Sequence, residues 1–252
     1  MDIQAYLARI GLAEADVSHT YEFLKKLQYQ QVLHIPYENL DLIDGKLLSF
    51  TEEALFDKMV TRHRGGYCFE LNGLLSIVLK ELGFEVKDYL GRFLKGVTGP
   101  LLRRHRVLEV RCEGRRYLMD AGMGQAAPRY PLLLEEGLVQ EQLWESYKLE
   151  KDPMLGWVLY ELADGQWRQF YAFQEEVQMD IDFIQPSFYF ERHPDSTFNK
   201  TPIVAIKTPT GRKTINDREY KIFEATQLVH LEQAISDDRL TELLSTEFGI
   251  CL

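Results

Sequence analysis

Three cysteines in 252 residues, Cys68, Cys112 and Cys251, are too few and too scattered for a disulfide framework. No two of them stand at CxxC or other metal-ligand spacing. A run of about 18–20 apolar residues, the length that spans a bilayer, is also missing. So is a surplus of positive charge: 29 Lys+Arg stand against 39 Asp+Glu, a formal net charge of −10. That balance argues against a general nucleic-acid binder, which needs a phosphate-neutralising surface. The opening Met1-Asp2-Ile3-Gln4 has an acid and no basic n-region, so no secretory signal is expected and a cytoplasmic protein is the default reading. Internal repeats, low-complexity tracts and long linkers are lacking too. What is there, 45% hydrophobic and 27% charged residues, is the mixture of a folded domain rather than a disordered chain.

The texture changes along the chain. Residues 1–84 read mostly as helix, with apolar residues at helical spacing from Tyr21 to Leu27 and a helix start capped by Thr51. Pro36 makes the stretch His34–Leu40 a loop. The clearest helix runs from about Cys68 to Leu82: Leu71, Leu74, Leu75, Val78, Leu79 and Leu82 share one face, and Gly83 stops it. From Phe84 onward short segments rich in Val, Leu and aromatics follow: Phe84–Phe93, Arg106–Cys112, Arg115–Asp120, Trp157–Leu162 and Trp167–Phe173. Glu113-Gly114 and Asp164-Gly165 separate them as hairpin turns. The last part holds strand-like runs Ile203–Lys207 and Arg212–Asn216, and an amphipathic helix from about Asp237. The fold class expected is α+β, in three parts: 1–84 helical, 85–190 a mostly antiparallel sheet or barrel, 191–252 a small mixed piece.

One stretch carries chemistry: Arg64-Gly65-Gly66-Tyr67-Cys68-Phe69-Glu70-Leu71-Asn72. Two glycines let the backbone turn tightly before a helix. Cys68 then lies in the first helical turn, where the dipole and free N–H groups favour thiolate and lower its pKa. The plain alternative is a glycine turn that delivers a buried cysteine. A reactive cysteine needs a base and an orienter for that base. His105 and Asp120 bracket the Glu113-Gly114 hairpin. A two-residue turn pairs Cys112 with Arg115 and Val107 with Asp120, which makes His105 and Asp120 diagonal neighbours on one face. It also sets Arg111 opposite Arg116. A three-residue turn would break the arrangement, and Asp120 would then merely cap the turn that follows it.

Taken together, Arg64-Gly65-Gly66-Tyr67-Cys68, His105 with Val107 and Val110, and Asp120-Ala121-Gly122-Met123-Gly124 resemble the arylamine N-acetyltransferase family. Ile35-Pro36-Tyr37-Glu38-Asn39-Leu40 resembles a further family block upstream. Ser196-Thr197-Phe198 with Thr208-Pro209-Thr210-Gly211 resembles one downstream. The resemblance covers nearly the whole chain, in order. It implies a helical bundle, a β-barrel and a small α/β lid around a papain-like cysteine-enzyme core, with a triad of Cys68, His105 and Asp120. It also implies acetyl-coenzyme A as a co-substrate, with no tightly bound cofactor, and an arylamine, arylhydrazine or hydrazide as acceptor. Thr98, Gly99, Ser196 and Thr197 resemble residues near the cofactor, with Arg103, Arg104 and Arg106 supplying charge nearby. Tyr37, Phe69, Met123 and Phe198 fall near the acceptor, and Glu38 with Arg64 resembles a structural ion pair. The family often has Phe where this chain has Tyr37 and Met123.

The mechanism so implied is ping-pong: Cys68 takes the acetyl group, coenzyme A leaves, and the amine attacks the acetyl-cysteine with His105 as base. Three other readings stay open. One is a biosynthetic amide synthase of the same family using a larger acyl thioester. Another is a papain- or transglutaminase-like hydrolase, opposed by the absence of a C-G-S-C-W-like block around Cys68. The third is a non-enzymatic scaffold that retains the fold, opposed by the intact set of Cys68, His105 and Asp120. Neither a nucleic-acid nor a membrane partner is expected.

Overall fold

In the computed structural model, which describes residues 1–96 and 102–252, the helical part is α1 (Ile3–Arg9), α2 (Tyr21–His34), a two-residue strand β1 (Tyr37–Glu38), α3 (Leu40–Ile43), α4 (Glu52–Phe56) and α5 (Cys68–Glu81). Helix α5 is the axis of this part. Eleven of its residues are buried, and Gly83 follows in the left-handed region at φ 83°. Thr51 caps α4 by accepting from the Ala54 N–H at 3.3 Å, as its sequence suggests. A π-helical turn, Asp57–Thr61, continues α4 and leaves Lys58 buried.

The middle part is one antiparallel sheet of eight strands: β2 (Glu85–Phe93), β3 (Arg103–Cys112), β4 (Arg115–Met119), β5 (Leu132–Leu133), β6 (Gln140–Gln142), β7 (Glu145–Asp152), β8 (Gly156–Ala163) and β9 (Gln166–Gln178). Their order is β5-β4-β3-β2-β9-β8-β7-β6. The two ends meet through side chains. The Gln140 carboxamide accepts from Leu133 N–H at 2.7 Å and donates to Leu133 C=O at 3.0 Å, and Gln142 does the same for Tyr130. These reciprocal amide bonds stand in for strand pairing, so the sheet is a nearly closed barrel. Its interior holds Tyr89, Val107, Leu118, Tyr147, Leu149, Trp157, Leu159 and Tyr171.

Between barrel and lid, α6 (Ile184–Arg192) packs Phe190 against Tyr67 and Phe69. The lid is β10 (Ile203–Thr208), β11 (Gly211–Asn216), β12 (Glu219–Glu224), β13 (Gln227–Gln233) and α7 (Asp237–Phe248), with Leu243, Leu244 and Phe248 of α7 buried against the sheet. Its fifth strand corrects the expected loop at 34–40. Tyr37 and Glu38 of β1 pair with Ala205 and Val204 of β10, at the sheet edge. Pro36 breaks the helix as expected, but an extended edge is equally open to the residues after it.

The motif around Pro36 ties the parts together residue by residue. Pro36 C=O accepts from Gly66 N–H at 3.2 Å, and Glu38 N–H donates to Gly66 C=O at 2.9 Å. Asn39 reaches the lid, donating to the Phe198 and Thr201 carbonyls at 2.7 and 2.9 Å and accepting from Ile203 N–H at 2.7 Å. The Arg64–Glu38 pair expected from sequence is present and buried, with Nη2–Oε1 at 2.8 Å. It belongs to a larger cluster. Lys58 lies 2.8 Å from both Asp41 and Glu70, and Arg64 also reaches Asp41.

Gly65 is needed for proximity rather than for a left-handed turn, since a Cβ there would stand 2.1 Å from the Pro36 carbonyl oxygen. Arg64→Met removes one cation from a buried cluster and leaves Glu38 with only the more distant Lys58, at 4.0 Å, as a counter-charge. Urea denaturation should show a loss of about 3–5 kcal/mol, far more than a surface ion pair would cost.

Candidate active site

Strand β3 turns into β4 through Glu113 (φ 51°) and Gly114 (φ 72°), the left-handed pair that a two-residue hairpin requires. The register is the one expected: Cys112 faces Arg115, Arg111 faces Arg116, and Leu108 faces Met119. The two like charges are each met by carboxylates, Arg111 by Glu85 at 3.2 Å and Arg116 by Glu109 at 2.6 Å. The strand begins at Arg103, so His105 lies inside it rather than at its start.

That register brings His105 and Asp120 together. His105 Nε2 and Asp120 Oδ2 are 2.7 Å apart, and both side chains are fully buried. Asn72, one turn along α5 from Cys68, holds the carboxylate by donating to Asp120 Oδ1 at 2.8 Å and to Arg106 C=O at 2.6 Å. It also accepts from Ala121 N–H at 2.9 Å. Gly122 N–H donates to the same Oδ1 at 2.9 Å. The imidazole sits between Phe93 and Tyr171, at ring-centroid distances of 5.3 and 5.0 Å.

Cys68 is the first residue of α5. Its sulfur lies against the β3 main chain on either side of His105: the thiol contacts Arg104 C=O at 3.8 Å, and the Arg106 N–H points at it. His105 Nδ1 is buried and has no hydrogen-bond partner among the described residues. So the imidazole and carboxylate are joined, and the thiol stands beside them bonded to backbone. The expected lowering of the Cys68 pKa is corrected. Burial pushes the thiol up, the Asp120 charge adds to it, and the N–H groups of Arg106 and Phe69 pull down without prevailing. A helix N-terminus alone does not ionise a sulfur removed from water.

Cys68 opens on a small cavity of about 60 Å³, lined with Tyr37, Phe93, Arg104, Gly122, Met123, Phe190 and Phe198. Three of the four expected acceptor residues, Tyr37, Met123 and Phe198, are there. Phe69 is not: it is fully buried in a cluster with Phe50, Tyr67, Phe183 and Phe190, because it sits on a different side of the helix from Cys68. Among the residues expected near the cofactor, Thr98 and Gly99 lie outside the described residues. Ser196 is buried and its hydroxyl is used internally, donating to Phe190 C=O at 2.9 Å and accepting from Phe198 N–H at 3.3 Å. Thr197 is exposed.

The three arginines do not share one role either. Arg106 is fully buried, bonded to Asp88 and Asp180 and stacked 4.2 Å from the Phe183 ring centroid. Arg103 is bound to Glu176 and Gln174. A larger cleft, about 330 Å³ and lined in part by Lys95, Trp144, Glu145 and Arg212, contains none of Cys68, His105 or Asp120. Among the described residues there is no group of three or more His, Cys, Asp or Glu able to hold a metal ion, and no helix long and apolar enough to cross a membrane.

A cysteine at a helix start, set against a strand-borne imidazole and carboxylate, is the layout of thiol enzymes that pass acyl groups through a covalent intermediate. The comparisons narrow this class. A family model described as N-acetyltransferase matches residues 20–252. The chain is 35% identical to an arylamine N-acetyltransferase of Mycobacterium tuberculosis, over 99% of this chain and 89% of that one. It is also 35% identical to that of Mycolicibacterium smegmatis, over 100% and 93%. Among solved structures, the Salmonella typhimurium arylamine N-acetyltransferase superposes with a TM-score of 0.94 at 29% identity, covering 98% and 90%. A Mycobacterium marinum arylamine N-acetyltransferase in complex with CoA gives 0.91 at 32%, covering 99% and 93%. The chain belongs to the arylamine N-acetyltransferase family and is an acyltransferase.

Sequence reasoning did not single out Asn72, although it lies in the block with Cys68. A polar residue four positions on, on a buried face of an apolar helix, was the available signal. Asn72→Ala strips a donor from a fully buried carboxylate. The variant should lose about 1–3 kcal/mol of stability, read as a lower melting temperature.

Proposed function

We propose that this protein transfers an acetyl group from acetyl-coenzyme A to arylamines, arylhydrazines or hydrazides through an acetyl-cysteine at Cys68. The observation that carries this reading is the buried, unpartnered Nδ1 of His105, whose opposite nitrogen is tied to Asp120 beside the Cys68 sulfur. That lone pair is a proton acceptor with no other donor on it among the described residues.

Because burial holds Cys68 as a thiol, attack requires its proton to pass to His105 Nδ1. Asp120 stabilises the imidazolium that forms and fixes its orientation. The thiolate adds to the thioester carbonyl, and the carbon–sulfur bond to coenzyme A breaks. His105 returns the proton to the departing thiolate, leaving acetyl-Cys68 and neutral His105. The amine then attacks the acetyl carbonyl and gives its proton to His105, which passes it to the Cys68 sulfur as the thioester opens. Donor and intermediate are both thioesters, so the first transfer is nearly balanced. Arylamines are weakly basic and enter unprotonated near pH 7. The Cys68 N–H, at the first helical position and without an intrahelical acceptor, is the oxyanion donor assigned here.

The 60 Å³ cavity suits the acetyl end of the donor, and the unbranched Met123 side chain can yield room for an aromatic acceptor. Thr197, exposed near the mouth residue Phe198, is the one residue of the Ser196-Thr197 pair left to meet coenzyme A.

Cys68→Ala should abolish the acetyl-enzyme seen by intact mass after mixing with acetyl-coenzyme A, and full turnover in that variant would refute the mechanism. A second measurement tests the proton path. In the unaltered protein iodoacetamide should label Cys68 at neutral pH. In His105→Gln the raised thiol pKa has no relief, so labelling should appear only as the pH is taken well into the alkaline range.

A further inference from the structure

We propose that Arg104 sets acceptor specificity, favouring arylamines and hydrazides whose ring bears a carboxylate. This deepens the reading above and rests on it. Among the described residues that line the cavity Cys68 opens on, Arg104 is the only charged one; the other walls are Tyr37, Phe93, Met123, Phe190, Phe198 and Gly122.

The state of its guanidinium is unusual for this chain. Arg103, Arg104 and Arg106 lie in four consecutive positions of β3. Arg103 is matched by Glu176, and Arg106 by Asp88 and Asp180. The side chain of Arg104, half-buried between them, has no hydrogen-bond or ion-pair partner among the described residues, in a protein with ten more acids than bases. An arginine lining the cavity and half-buried there offers planar donors in the fork that a carboxylate matches with two parallel hydrogen bonds. The rings around it suit a flat acceptor. An acceptor whose amine reaches acetyl-Cys68 would lie in the same cavity as the cation, and a carboxylate on its ring would supply the counter-charge that the fold withholds.

The test compares 4-aminobenzoate with 4-aminobenzamide, which share ring and amine and differ in charge. Acetyl-enzyme formation from acetyl-coenzyme A is measured separately, without acceptor. A charged hydrogen-bonded contact predicts a preference of about tenfold to a hundredfold in kcat/KM for the carboxylate. Arg104→Gln should bring that ratio close to one through a raised KM for the carboxylate. Arg104→Lys, which keeps the charge without the fork, should retain only part of it. A ratio near one in the unaltered protein overturns the proposal. So does an equal loss on both acceptors in Arg104→Gln, or a loss that tracks slower acetylation by acetyl-coenzyme A, which would place Arg104 on the donor. Failure of the unaltered protein to form any acetyl-enzyme would instead overturn the underlying transferase reading.

Discussion

A carboxylate taken wholly out of water must be given donors, and Asp120 receives them from three places at once. Asn72 comes from α5, His105 from β3, and the Gly122 N–H from the loop after β4. Supplying those bonds fixes where the helix that begins at Cys68 stands relative to the barrel. Any slip of α5 along β3 would strip Asp120 of a donor, at a cost comparable to a large core mutation. Close packing enforces the same position. A Cβ on Gly122 would come within 2.7 Å of Asn72 and 2.9 Å of the Cys68 Cα. Helix, strand and loop therefore meet at van der Waals distance around one buried charge.

The same charge shapes the behaviour of the sulfur. Burial and Asp120 both oppose a thiolate at Cys68, so its ionised form calls for a compensating positive charge. On the mechanism proposed above, His105 supplies the compensating cation once it takes the proton, with Asp120 held on its other nitrogen. On that proposal, reactivity depends on the imidazole rather than on the helix terminus.

Much of this was legible in the sequence. Gly83, Thr51 and the leucine spacing gave α5 and its neighbours, and the Glu113-Gly114 turn fixed a register that sets His105 beside Asp120. The strands of the barrel expected from Val, Leu and aromatic runs are all present. What escaped notice has a common cause. β7 reads Glu-Ser-Tyr-Lys-Leu-Glu-Lys-Asp, with only Tyr147 and Leu149 turned inward, and β13 is almost wholly exposed. Such strands are specified by their neighbours rather than by their own hydrophobicity. Phe69, expected near the acceptor from the family resemblance, instead follows helix geometry. One residue along a helix is a turn of about 100°, enough to send it into the core. The charge cluster was seen only as Glu38 with Arg64, because Lys58 comes from a π-helical turn that sequence periodicity does not announce.

That cluster carries three carboxyl groups, Glu38, Asp41 and Glu70, against two cations, Lys58 and Arg64, all buried. Lys46 at the exposed margin, 2.8 Å from Asp41, adds the third cation that matches the third carboxyl group. The protonation directions differ from one member to the next. Burial pushes Glu70 up, against the pull of Lys58 and the Tyr67 N–H. Asp41, despite its own burial, is held well below the usual carboxylate range by Lys58, Lys46 and Arg64. Glu70 is therefore the member whose charged form burial opposes most visibly, and Lys58 at 2.8 Å is its compensation. Glu70 is also the residue whose carboxyl accepts the Tyr67 N–H at 3.1 Å, just before Cys68. The cluster thus reaches into the first turn of the helix that begins at Cys68. Through Glu70, charge compensation beneath that helix and the geometry of its entry turn share one carboxyl group.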